Sequence, residues 1–147
     1  MNISGSSLIS AGPDRVYAAL TDPAVLQRVI PGCEKLEQTG DGEYNAHLKL
    51  GIASIKGSYT GKVRLTDQQP PQQFTMHLEG KGGPGFVRGK SLIELQAEGQ
   101  GTRLTYRSDV QVGGLIAAIG SRVIEAASKK LADEFFKKFS EVLATLK

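Results

Sequence analysis

An apolar ridge runs through the last third of the chain, Val112 to Lys147, and no other stretch of the sequence offers one of comparable length. Along VGGLIAAIGSRVIEAASKKLADEFFKKFSEVLATLK, the residues Ile116, Ile119, Val123, Ala127, Leu131, Phe135, Phe139, Val142 and Leu146 recur in steps of three and four, which stacks them on one face of a helix. Lys129, Lys130, Asp133, Glu134, Lys137, Lys138 and Glu141 fill much of the remaining surface, with Asp133 to Lys137 and Glu134 to Lys138 in the favourable order for pairs four apart. The spacing predicts a single helix from Leu115 to Leu146, roughly 45 to 50 Å long at about 1.5 Å per residue. A two-faced helix of that length needs a partner for its dry side, so the rest of the chain must wrap it.

The wrapping material is read from the change of period. Asn2 to Ser10 alternates weakly through Ile3 and Ile9 and suits a strand, with Gly5 marking a bend or a close approach. Gly12 before Pro13 opens a short helix that buries Val16, Tyr17 and Leu20. Asp22 before Pro23 reads as an N-cap with proline at the first helical position of a second, which carries Val25, Leu26, Val29 and Ile30 and ends at Pro31-Gly32.

From Cys33 to Gly113 the period drops to two. Tyr44, Ala46, Leu48 and Leu50 alternate with Asn45, His47 and Lys49, and Ile55, Gly57, Tyr59, Gly61, Val63 and Leu65 alternate with Lys56, Ser58, Thr60, Lys62 and Arg64. Past a turn signal at Gln68 to Pro71, the inner residues are Phe74, Met76 and Leu78, then Val87, Gly89, Ser91, Ile93, Leu95 and Ala97. After a turn at Gly99 to Gly101 they are Leu104, Tyr106, Ser108, Val110 and Val112. The predicted order is strand, two short helices, six strands, long helix. This is an α+β fold in which a twisted antiparallel seven-stranded sheet and the C-terminal helix bury each other's oily faces.

A chain of 147 residues suits one domain, 1–147, able to bury roughly two thirds of the surface its unfolded form exposes. No run approaches the ~20 apolar residues of a membrane span and Met1 to Ser10 shows no signal-peptide pattern, so a soluble, cytoplasmic protein is expected. The one cysteine, Cys33, forbids an internal disulfide and a cysteine-built zinc site, and suits a reducing compartment. A formal charge of +3 demands no polyanion. The isoelectric point near 9.0 still leaves anionic surfaces accessible as partners.

Particular words in this order carry a likeness: PDRVYAALTDP at Pro13 to Pro23, Pro31-Gly32-Cys33, Gly57 with Tyr59 and Gly61, GKGGPGFVRG at Gly80 to Gly89, and VGGLIAAIGSRVI at Val112 to Ile124. Together, over essentially the full length, they resemble the carbon monoxide dehydrogenase G-subunit family. That family lies within the helix-grip superfamily of START-type lipid-transfer domains and polyketide cyclases. The resemblance implies a helix-grip fold with an apolar cavity between sheet and C-terminal helix, and a lipid or quinone-like molecule as its ligand. It further implies service to a membrane-associated, molybdenum-dependent carbon monoxide dehydrogenase-type oxidoreductase at the inner face of the membrane.

The residues themselves offer little chemistry. His47 and His77 both fall on the polar side of their strands, where solvated histidines are the plain reading and no partners for a metal are in reach. Cys33 sits in a Pro-Gly turn without a base beside it and reads as a structural thiol. GKGGPG lacks the Lys-Ser/Thr of a phosphate loop and reads as a mobile strand connection. On the outer face Lys49, Lys56, Lys62, Arg64, Arg88, Lys90, Arg103 and Arg107 mix with Glu79, Glu94 and Asp109, with only Phe86 as an aromatic neighbour. That composition reads as a solvated face rather than a nucleic-acid platform. No catalytic residue, metal or cofactor is expected.

Glycines are more informative. Gly57, Gly61, Gly85 and Gly89 fall on the predicted inner face, where each either lets the sheet bend around the helix or leaves volume for a ligand. The cavity expected there is lined by Tyr59, Gly61, Met76, Gly89, Ser91, Tyr106, Ser108, Ile119, Val123 and Ala127, with the two tyrosines and two serines as its polar atoms. Leu115, Ile116 and Ile119, in a segment apolar on every side and bracketed by Gly113, Gly114 and Gly120, are expected to form its mouth and a transient membrane contact. The function read from this is non-enzymatic binding of an apolar or amphipathic small molecule. A small cyclase or hydrolase using Tyr59 or Tyr106 as general acid, and a ligand-free adaptor with a filled core, are the alternatives.

Overall fold

The structure is a computed structural model and describes residues 1–51 and 55–146. Strand β1 (Asn2–Ile9) leads into helices α1 (Pro13–Leu20) and α2 (Pro23–Val29). Six strands follow as a meander: β2 (Cys33–Gly40), β3 (Glu43–Leu50), β4 (Gly57–Gln69), β5 (Gln73–Gly82), β6 (Gly85–Glu98) and β7 (Gly101–Gly113). A short 3-10 helix, Gly114–Ile119, here the shoulder, joins β7 to the long helix α3 (Ser121–Thr145).

The strands form one antiparallel sheet in the order β1-β7-β6-β5-β4-β3-β2. Neighbours in sequence pair by hairpins except at the ends. There β1 returns to β7, from Asn2 opposite Asp109 to Ile9 opposite Thr102. Strands β1 and β2 are thus consecutive in sequence but lie at opposite edges, and α1 and α2 make the crossing. With α3 laid across the inner face, this is the helix-grip arrangement that the resemblance implies.

Local chemistry sets the ends of the helices. The Asp22 carboxylate accepts a hydrogen bond from the Ala24 amide at 2.9 Å, capping α2 as its position before Pro23 predicts. Less visible in the sequence is the C-terminal end of α3. The guanidinium of Arg15, on α1, donates to the carbonyl of Leu143 at 2.9 Å and also to that of Leu146. This satisfies orphan carbonyls and sets a cation at the negative end of the helix.

The single helix expected from Leu115 is in fact broken. Gly120 adopts φ 106° and ψ 146°, a conformation that L side chains rarely take, and it separates the shoulder from α3. The buried line of α3 beyond the break keeps Ala127, Phe135, Phe139 and Val142, as the spacing predicts, and differs at its start. Ile124, not Val123, turns inward, and Val123 stays 42% exposed. From there the buried line runs through Ala127, Phe135, Phe139, Val142 and Leu143.

The buried residues fall into two clusters. The larger gathers α1, α2 and the C-terminal half of α3 against the sheet, around Phe74, Leu104 and Phe139, with Tyr17 edge-on to Phe74 at 5.5 Å. The smaller gathers Ile55, Tyr59, Ile116, Ile124 and Ala127 at the other end of α3. The space between them is not filled.

Candidate functional site

Between these clusters lies a cavity of about 260 Å³, enclosed by the inner faces of β3 to β7 and by α3 from Ile124 to Phe136. Its walls are almost wholly carbon, from residues such as Leu48, Leu78, Val87, Val112, Leu131 and Phe135. Leu78 belongs to a central strand and faces inward, yet it keeps 36% of its surface accessible because it borders the void. Gly89 is one source of that volume: a Cβ placed there would meet nothing within 4 Å.

Gly61 has the opposite reason for being glycine. A Cβ on it would collide with the carbonyl oxygen of Glu79 on β5, so this glycine permits a close approach of two backbones, and it does not line the cavity. The expectation that it opens the cavity is corrected. Ile119 and Val123 likewise lie outside the cavity wall, since Ile119 ends the shoulder packed against the smaller cluster and Val123 is exposed on α3, while Ile116 and Ile124 line the wall. Tyr59, Met76, Gly89, Ser91, Tyr106, Ser108 and Ala127 do line it.

The polar atoms are few and unevenly placed. Ser91 and Ser108, opposite each other on β6 and β7, bring their hydroxyl oxygens to 2.5 Å. The Tyr59 hydroxyl donates to the Ile55 carbonyl at 2.6 Å, tying β4 to the loop before it. Tyr106 contributes its ring, stacked on Phe136 with centroids 5.2 Å apart. Its hydroxyl reaches instead past Gly5, whose missing side chain leaves room 2.8 Å from a notional Cβ, into the seam between β1 and α3. Burial raises the Tyr59 phenol above its ordinary pKa, and burial with the nearby Asp133 carboxylate does the same for Tyr106. Both are neutral donors at physiological pH.

At the shoulder the three expected mouth residues divide. Leu115 is 74% exposed, Ile116 is buried and faces the cavity, and Ile119 is half-buried against the smaller cluster. Ile116 therefore cannot present its side chain outward, which corrects its assignment as a contact residue. The GKGGPG run closes a two-residue turn, Gly83-Pro84, between β5 and β6, and the Pro84 carbonyl accepts from the Ile116 amide at 2.9 Å.

The other candidates lie elsewhere. His47 is exposed, and His77 faces the outer side with its ring 3.0 Å from the Thr66 hydroxyl. Burial, with Arg64 and Lys90 on the neighbouring strands, lowers the His77 pKa. Cys33 is half-buried, and burial pushes its thiol up, away from the reactive thiolate. Across the outer face Arg88 pairs with Glu79, Arg107 with Glu94 and Arg103 with Glu98, as on a solvated surface. Among the described residues no His, Cys, Asp or Glu side chains gather into a metal-binding group, and no helix is long and apolar enough to cross a membrane.

The model of the carbon monoxide dehydrogenase G-subunit (CoxG) family matches residues 5–144. The chain belongs to that family. A conserved protein from Geobacillus kaustophilus, 38% identical, superposes with a TM-score of 0.94 over 98% of this chain and 95% of its own. A protein from Chromobacterium violaceum shares the fold at 18% identity and TM-score 0.74, over 97% of this chain and 96% of that one. Ara h 8.0201 does so at 12% identity and TM-score 0.74, over 99% of each. No curated protein is similar enough to match. CoxG membership agrees with the helix-grip fold and with the words, from PDRVYAALTDP to VGGLIAAIGSRVI, that carry the likeness.

Proposed function

We propose that this CoxG-family protein is a carrier that encloses a hydrophobic or amphipathic small molecule between sheet and α3. In that role it is an accessory to the carbon monoxide dehydrogenase-type oxidoreductase for which the family is named. One observation carries the reading: the carbon-lined void where a helix-grip core would otherwise be packed, with Gly89 holding back a side chain from it. An apolar cavity of about 150 Å³ takes up benzene. The larger void suits a two-ring body or a comparable length of chain, the size of a quinone-like head or part of a lipid tail. A longer tail leaves through the mouth at the shoulder. There Leu115, with Val123 and the cations Arg122, Lys129 and Lys130, supplies a weak and reversible contact with an anionic membrane.

Native mass spectrometry of protein purified from its own host, followed by extraction, tests the reading. An apolar molecule bound one per chain and absent from Gly89→Leu is the expected result. Empty protein that also takes up no apolar fluorophore would overturn it in favour of an adaptor.

A further inference from the structure

The Ser91 and Ser108 hydroxyls stand 2.5 Å apart in a wall of the cavity that is otherwise almost wholly carbon. Two hydroxyls hold two protons and four lone pairs. Their mutual bond uses one proton and one lone pair, so one proton and the remaining lone pairs are left for a third group. Neither oxygen has a second partner among the described residues. Competing polar atoms are occupied or turned away: the Tyr59 hydroxyl is bound to Ile55, the Tyr106 hydroxyl lies in the β1–α3 seam, the Glu79 carboxylate faces Arg88 outside, and Lys62, which also borders the void, is an exposed residue of the outer-face alternation on β4. Ser128 also borders the void, but singly and from α3, across from the sheet. Ser108 is buried and Ser91 half-buried, and Ser91 is six residues into β6 from the turn that touches the shoulder, about 20 Å along the strand at ~3.3 Å per residue.

We propose that Ser91 and Ser108 together are the specificity-determining group of the cavity. They take an uncharged oxygen, a carbonyl or a hydroxyl, at the inner end of an otherwise apolar ligand, and they turn away carboxylates. This rests on the carrier reading and adds to it the class of ligand head. A neutral carbonyl accepts the spare proton and is satisfied. A carboxylate arriving at the same place exchanges a full hydration shell for a single donor. A hydrocarbon offers the spare proton no acceptor and so gains nothing from the pair.

Three matched probes separate these cases: naphthyl methyl ketone, ethylnaphthalene and naphthoate, measured by equilibrium dialysis against the wild type and Ser91→Ala/Ser108→Ala. The ketone should bind the double variant about three- to tenfold more weakly than the wild type, the range of one net hydrogen bond. Ethylnaphthalene should bind the double variant at least as tightly as the wild type, which also reports that the variant's cavity is intact. Naphthoate should bind the wild type at least about 100-fold more weakly than the ketone. Either single variant should keep most of the ketone affinity, because one hydroxyl can still donate, an outcome that a purely structural role for the pair would not produce. Ketone binding unchanged in the double variant, or naphthoate binding as tightly as the ketone, overturns the serine assignment while leaving the carrier reading in place. Failure of all three probes to bind the wild type overturns both.

Discussion

Gly61 and Gly89 look alike in the sequence, and their substitution should have opposite consequences. At Gly61 even one added carbon strikes the Glu79 carbonyl oxygen, on a strand that pairs with β4 through Gly61 and Gly80. Relief requires prising apart two central strands. Overpacking costs about 1 to 3 kcal/mol, and each weakened ladder hydrogen bond adds about 1 kcal/mol, so Gly61→Ala should lose about 3 kcal/mol or more. With urea slopes of about 1 to 3 kcal/mol per molar, the midpoint falls by roughly 1 to 3 M. At Gly89 a leucine meets open space and buries its side chain, a gain of up to about 1.5 to 3 kcal/mol. Gly89→Leu should therefore melt at or above the wild-type midpoint while losing uptake of an apolar fluorophore. Urea denaturation and fluorescence titration of both variants decide the matter. A Gly61→Ala protein that melts with the wild type, or a Gly89→Leu protein that unfolds, would refute the division of roles.

Three further outcomes are expected. Phe139→Ala should cost about 3 to 5 kcal/mol in urea melts, since its ring is wholly buried, and Phe135→Ala should fall below it because that ring already borders a void. Leu115→Asp with Val123→Asp should lower sedimentation with anionic liposomes and leave the stability within about 0.5 kcal/mol of wild type, as for ordinary surface changes. Ile116→Asp, which places a carboxylate in the cavity wall, should destabilise the fold instead. Because folding lowers the His77 pKa from its ordinary 6.5, the neutral ring contributes stability above that value and the contribution is lost as pH falls through the lowered pKa. Unfolding midpoints of wild type and His77→Gln should therefore converge on acidification below about pH 6.5.

What the sequence made legible were the features that rest on local chemistry. Five strands of the meander, β3 to β7, follow from period-two alternation, whereas β2 (Cys33–Gly40) shows no such alternation. The starts of α1 and α2 follow from Gly12-Pro13 and Asp22-Pro23, whose fixed φ and side-chain oxygen act within a few residues. The bond from Arg15 to the end of α3 was not legible. It joins residues 128 positions apart, and an arginine on a short helix carries no mark of which carbonyls it will meet.

The cavity was half legible, and the line between its two halves is physical. Alternation fixes which strand residues face inward, and so Tyr59, Met76, Gly89, Ser91, Tyr106 and Ser108 meet at one place, with Ala127 facing them from the helix. Alternation says nothing about distance to the next strand, which is why the same pattern hides a backbone collision at Gly61 and open space at Gly89. On the helix side the heptad-like ridge ran continuously through Gly120, because an apolar spacing count treats a glycine as one more position. The backbone does not. At φ 106° it changes direction and ends the shoulder before α3 begins, and on the first turn of α3 the inward residue is Ile124 and not Val123. The outward turn of Val123 on α3 and the bare backbone at Gly89 on the sheet thus act in the same sense from opposite walls, each withholding a side chain from the volume left between the two core clusters.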